Sequence, residues 1–289
     1  MTINKNKKTL KYKSSRTKSS RTKSSKTKSS RTKSNNKNVI TILSYNISWE
    51  SMSGSVKNWS LCNTNTNADK SNSRHSSVCV NNIASVFDSS NTLDFVTLQE
   101  ATDYKKLLIQ SRRLKQMNYK EHKSGLDSIV TFWDIKYKLK KVVTGEFEEG
   151  RPWMAILFTN DLCIINVHMG HYDKETQLKM MDKMMLEINK NMMHIQKTKK
   201  TEKPHKKIRY SISGDFNYDI KEFGGSRNYF ILDNTSFYYN KKHILTCCIN
   251  RRKHNDHVID SLATPIDITI PKVNYMASDH KPILVQLKV

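Results

Sequence analysis

Short, nearly continuous apolar runs alternate along this chain with longer polar stretches. Such runs, bounded by turn residues, suit strands buried on both faces. They predict strands at 39–47 (VITILSYNI), 93–100 (LDFVTLQE), 128–134, 137–145, 152–159, 161–168, 208–213, 257–263 and 281–288. Two segments follow a different period. Val80, Ile83, Ala84 and Phe87 recur at helical spacing, and a further helix is expected over 103–116. Leu178, Met181, Met185, Ile188, Met192 and Ile195 form one longer stripe behind Asp173, a residue suited to cap it. A methionine stripe at that spacing is core material rather than a ligand site. Residues 51–77, rich in Ser and Asn, read as a long polar loop, and 197–207 as a basic linker around Pro204. Strands and helices alternate, yet several strands follow one another directly. That order fits two packed sheets with helices outside better than one parallel sheet.

Charge changes the picture at the N-terminus. The chain has 289 residues and a formal charge of +24, and residues 14–33 repeat a five-residue unit, SSRTK, SSRTK, SSKTK, SSRTK. Of 50 Lys and Arg residues, 14 fall in 1–38 with no acid among them, which leaves +10 for 39–289. A segment with nothing apolar to bury gains nothing by ordering. Residues 1–38 are therefore expected to be a disordered basic tail: a phosphate-backbone tether, a nuclear address, a phosphorylated segment, or a functionless solvated end. A basic body suits a polyanion such as nucleic acid, or an anionic membrane face, as well as simple lysine-rich solubility.

Five cysteines, an odd number with no CxxC spacing, argue against a disulfide framework or zinc knuckle and favour a reducing, intracellular compartment, nuclear or cytoplasmic. No apolar run nears the ~20 residues needed to span a bilayer. The basic N-terminus lacks the apolar region of a secretory signal.

The candidate chemistry lies at strand ends. The first run ends in Tyr45–Asn46 and the second in Gln99–Glu100; Asn166–Val167 runs into His168, and SISGD into Asp215, Phe216 and Asn217. Ser278–Asp279–His280 precedes the last strand. One acid at a strand end is ordinarily a turn residue or cap. Five polar constellations at five ends need another reason. Carboxylates such as Glu100, Asp215 and Asp279 suit Mg²⁺ or Mn²⁺. Carboxamides and imidazoles donate to phosphate oxygens, and an Asp beside a His fixes its tautomer and favours its charged form. Together they describe metal-assisted phosphoester hydrolysis.

The set Ser44–Tyr45–Asn46, Leu98–Gln99–Glu100, Asn166–Val167–His168, Gly214–Asp215–Phe216–Asn217 and Ser278–Asp279–His280 resembles, in order and over 44–280, the endonuclease/exonuclease/phosphatase superfamily, which is DNase I-like. The resemblance implies a four-layer α/β/β/α sandwich, with two mixed sheets face to face and helices outside. It implies Mg²⁺ (or Mn²⁺) held by Glu100 with Asn46 and Asp279. It implies Asp215 as the group that orients or deprotonates water, phosphate contacts from Asn217, Asn46 and His168, and His280 stabilising transition-state charge. An acid upstream of the final His would orient it; Asp256 fits, with Asp260 the rival, and Asp256 leaves Val258 and Ile259 to continue the strand. Arg151–Pro152, before the strand WMAILF, resembles the Arg-Pro before the corresponding strand in DNase-like members, which implies a phosphate contact, with a surface arginine the close alternative. His257 stands where the family commonly has an arginine, and His171 has no counterpart. Trp133 and Trp153 read as core.

The expected activity is thus a divalent-metal-dependent phosphoester hydrolase, foremost a nuclease or DNA/RNA phosphodiesterase acting as a monomer. The alternatives are a phosphoinositide or sphingomyelin hydrolase at a peripheral anionic membrane, and an inactive nucleic-acid-binding module. The Lys/Asn bias suggests an AT-rich genome, viral or protist, and with it a host cell or virion.

Overall fold

The computed structural model describes residues 39–48, 62, 72–90, 92–197, 207–242, 244–247, 253–263, 265, 267–273, 275 and 277–288. The tail 1–38 and most of 51–77 lie outside them.

Every expected apolar run forms a strand. In chain order the strands are β1 (Val39–Asn46), β2 (Phe95–Gln99), β3 (Met117–Ser124), β4 (Asp127–Asp134), β5 (Leu139–Glu146), β6 (Pro152–Phe158) and β7 (Leu162–His168). They continue as β8 (Arg209–Asp215), β9 (Tyr229–Leu232), β10 (Thr235–Tyr238), β11 (Asp256–Asp260), β12 (Asp267–Thr269) and β13 (Ile283–Lys288). The helices are α1 (Asn72–Asp88), α2 (Tyr104–Gln110), α3 (Lys174–Lys197) and the single turn α4 (Lys221–Gly224).

One sheet runs β12-β13-β1-β2-β4-β3 and the other β5-β6-β7-β8-β11-β10-β9. β1 and β2 are parallel, as are β7 and β8; the other pairs are antiparallel. Between the sheets lies a layer that includes Ile42, Phe95, Met154, Ile156, Phe158, Ile164, Val258 and Val285. α1 and α2 cover the outside of the first sheet through Ile83, Phe87 and Leu107. α3 covers the outside of the second through Met181, Met185, Ile188 and Met192, the stripe expected from spacing. The architecture is therefore the four-layer α/β/β/α sandwich. Asp173 caps α3, its carboxylate accepting from Thr176 N–H at 2.9 Å.

The departures have local causes. The expected 103–116 helix stops at Gln110 because Asp88 recruits the next backbone groups. Ser111 turns extended (φ −83°, ψ 125°), its hydroxyl donates to Asp88 at 2.7 Å, and Arg113 N–H does so at 3.0 Å. α1 begins at Asn72, inside the expected polar loop, since its first residues carry no apolar period to betray it. β3 is an edge strand of polar residues with little to bury, and β9, β10 and β12 are only three or four residues long.

The cysteine reading needs correction. Cys62 and Cys79 are disulfide-bonded, both buried, with Cα atoms 5.1 Å apart. Folding brings together two cysteines whose spacing matches no motif, so cysteine content no longer argues for a reducing compartment.

Candidate active site

Strand register delivers a row of ionisable groups to one edge of the second sheet. His168 of β7 lies opposite Asp215 of β8, and Asp256 of β11 lies opposite Asp215 on the other side. Period-two alternation decides where β8 points its side chains. Ile212 and Phe216 pack toward α3. Ser213 faces the other sheet, where its hydroxyl meets Thr97 Oγ1 at 3.0 Å, and Asp215 follows it on that face. Gly214 permits the close approach: its φ is +149°, and a Cβ there would sit 2.0 Å from Val167 O. The turn that follows is left-handed at Asn217 (φ +51°), a conformation Asn tolerates.

The first sheet contributes from the facing edge. Asn46 ends β1, and its Nδ2 donates to Asp215 Oδ2 at 2.9 Å and to Glu100 Oε1 at 3.0 Å. Its Oδ1 accepts from Ser48 N–H at 3.1 Å. One buried carboxamide thus holds two carboxylates side by side across the sheets. Glu100 follows β2 at φ +53°, a strained position for a residue other than Gly or Asn. A buried polar network backs this rim: Gln99 Nε2 donates to Asn166 Oδ1 at 2.7 Å, and Asn166 Nδ2 to Leu98 O and Val130 O at 3.1 Å.

Two His–Asp pairs flank Asp215. His168 Nδ1 contacts Asp127 Oδ2 at 2.6 Å, and its Nε2 lies 3.7 Å from Asp215 Oδ2. His280 Nδ1 contacts Asp256 Oδ2 at 2.9 Å, and its Nε2 lies 3.6 Å from the same Asp215 oxygen. Burial opposes charge on both imidazoles, but the carboxylates outweigh it: His168 is raised, and His280 is raised to about 10 by Asp256 and Asp215. Burial also pushes the Asp256 carboxyl up to about 6 against the pull of His280. Asp215 is lowered: burial works the other way, but His280, His168, Asn46 and the Asn217 N–H together prevail.

The His280–Asp256 pair has a consequence for stability. With a folded value near 10 against an ordinary 6.5, its contribution is fully present below about 6.5 and is lost as pH rises through about 10. Urea unfolding across that window should show wild-type stability falling more steeply with pH than that of Asp256→Asn. Parallel slopes would show that the pair does not hold the proton.

Arg151 Nη1 lies 2.8 Å from His168 Nε2. Asp127 accepts from Nδ1–H, so Nε2 accepts from Arg151 while the ring is neutral. Protonation, which the surrounding carboxylates favour, turns Nε2–H toward Arg151 and frees both groups as donors to one anion. Asn217 Nδ2 donates to Met169 O at 2.7 Å, and its Oδ1 accepts from Asn255 Nδ2 at 3.3 Å.

The donor set fits a hard divalent cation. Glu100, Asp127, Asp215, Asp256 and Asp279 gather at this rim of an otherwise basic chain. Glu100 and Asp279 are the accessible ones, with side chains 24% and 48% exposed. Asn46 serves them here as a donor, its oxygen already engaged by Ser48.

All nine residues expected from sequence stand at this edge. Asp260, the rival to Asp256, is occupied elsewhere by Arg209 Nε at 2.9 Å. His257 is half-buried, its Nε2 against Tyr218 O and His254 O, and loss of solvation lowers it to about 4, so it offers no substitute for an arginine. His171 is exposed and outside the cluster. Trp133 and Trp153 are core. Asp127 went unnoticed in the sequence. The usable signal was an acid opening the strand after the tight turn Gly125–Leu126, in a chain whose buried His168 needed an Nδ1 partner.

No protein-family model matches the chain. An uncharacterized protein of Acanthamoeba polyphaga mimivirus is 31% identical over 260 residues, covering 84% of this chain and 49% of that protein. The chain thus spans about half the length of that relative. Among solved structures, ANGEL2, a 2',3'-cyclic phosphatase, superposes with a TM-score of 0.59 at 15% identity, over 86% of this chain and 95% of that one. A humanized D. rerio TDP2 gives 0.55 at 15% identity, over 87% and 99%. An endonuclease/exonuclease/phosphatase from Bacteroides vulgatus gives 0.54 at 14% identity, over 88% and 100%. At such identities the likeness is one of fold.

Proposed function

We propose that this chain, which has the DNase I-like fold of the endonuclease/exonuclease/phosphatase superfamily, is a Mg²⁺- or Mn²⁺-dependent phosphoester hydrolase acting on nucleic acid. The observation that carries this reading is Asp215. Its buried carboxylate is held by Asn46 and the Asn217 N–H and stands between two imidazoles, each backed by its own Asp.

The arrangement supports an acid–base division of labour. Asp215 stays ionised and can accept a proton from a water brought against its carboxylate. His280, charged through neutral pH, stabilises negative charge growing on the phosphate oxygens. His168 and Arg151 grip another oxygen, and Asn217 donates beside them. A divalent cation, held by Glu100 with Asp279 nearby, would supply neutralisation of phosphate charge. The +10 charge of residues 39–289 and the 14 cations of the tail favour a polyanionic substrate. The TDP2 and ANGEL2 neighbours are compatible with that choice.

A cleavage panel tests the reading: plasmid, abasic duplex, 5′-tyrosyl DNA, poly(A) RNA, 2',3'-cyclic phosphate ends and lipid headgroups, each with Mg²⁺, Mn²⁺ or chelator. Metal-dependent hydrolysis of a nucleic-acid ester is expected. Turnover of headgroups alone would move the chain to the lipid branch, and no turnover anywhere would leave an inactive binding module.

Asp127→Asn removes the carboxylate that orients and charges His168. Through that ring it should weaken phosphate capture, lowering kcat/KM roughly ten- to hundredfold, mainly through KM. Steady-state kinetics on the best panel substrate checks this. An unchanged KM would remove His168 from phosphate binding.

A further inference from the structure

A sulfur also reaches this rim. We infer that Cys247, once reduced, forms with His280 and Asp279 a Zn²⁺ site that withdraws His280 from phosphate chemistry. The inhibition rests on the function proposed above; the metal binding does not.

The geometry is nearly that of a coordination sphere. Cys247 Sγ lies 3.4 Å from His280 Nε2, and Asp279 Oδ1 lies 4.0 Å from the same nitrogen. All three ligand atoms fall within 4.8 Å of one another. Zinc bonds of about 2.3 Å to sulfur and 2.0–2.1 Å to nitrogen or oxygen put neighbouring tetrahedral ligands roughly 3.4–3.6 Å apart. The sulfur–nitrogen edge already has that length. The Asp279 edge needs about half an ångström, and its carboxylate is half-exposed and can supply it.

The supports are fixed. His280 Nδ1 is held by Asp256 at 2.9 Å, which leaves Nε2 facing Cys247 Sγ and Asp215, as in the carboxylate–histidine–metal arrangement of zinc proteins. Cys247 pairs with Lys253 through backbone bonds of 3.0 and 3.1 Å. Lys281 N–H donates to Thr246 O at 2.7 Å and ties the cysteine's segment to the one bearing His280. A thiolate selects zinc over magnesium, so this site differs in kind from the oxygen ligands around Glu100. The carboxylates that favour charge on His280 also favour a dication beside it.

Cys247 is disulfide-bonded in this structure. A dithiol reductant passes two electrons to that bond: the S–S bond breaks, two thiols form, and the reductant closes to its own disulfide. Zn²⁺ then displaces two protons to solvent, one from the Cys247 thiol and one from His280 Nε2. Disulfide and zinc compete for one sulfur, so the site exists only in reduced protein.

The test uses the full chain, reduced with dithiothreitol and freed of it, with Co²⁺ standing in for Zn²⁺. Reduced wild type should show thiolate-to-cobalt charge-transfer absorption that oxidised wild type and Cys247→Ser lack. Independently of any variant, Zn²⁺ should protect Cys247 from iodoacetamide, as mapped by peptide mass. Zn²⁺ should inhibit reduced chain at a concentration at least tenfold lower than oxidised chain. A charge-transfer band that survives in Cys247→Ser, or Cys247 alkylated equally fast with and without zinc, overturns the site. If no substrate is hydrolysed the functional reading fails, while the cobalt and alkylation results still decide the metal site.

Discussion

Asp215→Asn is expected to lower kcat by roughly a thousandfold or more while leaving the fold intact. The carboxylate receives donors on both oxygens, from the Asn217 N–H at 2.8 Å and from Asn46 Nδ2 at 2.9 Å. An amide can accept only on one. Its NH₂ would then face either Asn46 or Asn217 as donor against donor, and neither form could take a proton from water. His280→Ala should fall as far, because it removes the cation nearest that oxygen and leaves Asp256 buried without its partner. Single-turnover rates on the best panel substrate, with thermal unfolding to certify folding, check both variants. Near-wild-type turnover in both folded proteins would place the chemistry elsewhere.

The motifs that name this site are legible because each combines a β-branched strand with a polar end. The end of an internal strand is where backbone partners run out and side chains must be held by one another. Asn46, Glu100, His168 and Asp215 follow that rule, while His280 sits in the turn that precedes β13. What the sequence hides is pairing across distance. Asp127 looks like a turn acid until β4 is laid beside β2 and its carboxylate meets His168 from β7. Cys247 belongs to no motif, and only the Lys281–Thr246 backbone bond of the fold sets it beside His280. The sandwich was likewise readable from consecutive apolar runs, whereas β3 escaped because an edge strand with polar side chains has no hydrophobic period to show. Ser111 ended a helix that periodicity extended, since its hydroxyl and the next N–H groups found Asp88. Local pattern reports burial; it does not report which distant group satisfies a backbone or an imidazole.

Removing divalent metal is expected to abolish hydrolysis completely, and Mg²⁺ or Mn²⁺ should restore it. The reason is electrostatic. A phosphodiester entering this rim comes up against the carboxylates of Glu100, Asp215 and Asp279, with Arg151 and two paired imidazoles among the described cations beside them. Each imidazole's charge is already matched by its own Asp. Like charges a few ångströms apart cost on the order of several kcal/mol at an effective dielectric near 20. A dication at Glu100 reverses that balance, and Glu100 is poised for it: Asn46 fixes one oxygen at 3.0 Å and the side chain remains accessible. Glu100→Gln keeps the shape and loses the charge, so it should raise the half-activating Mg²⁺ concentration at least tenfold as well as depress kcat. Metal binding is also readable without turnover, since a ligand that prefers the folded state raises the melting temperature with its concentration. That Mg²⁺-dependent rise should be present in wild type and much reduced in Glu100→Gln. Full activity of metal-stripped protein in excess EDTA, or an equal thermal shift in both proteins, would show that the carboxylates of this rim are balanced by some other means.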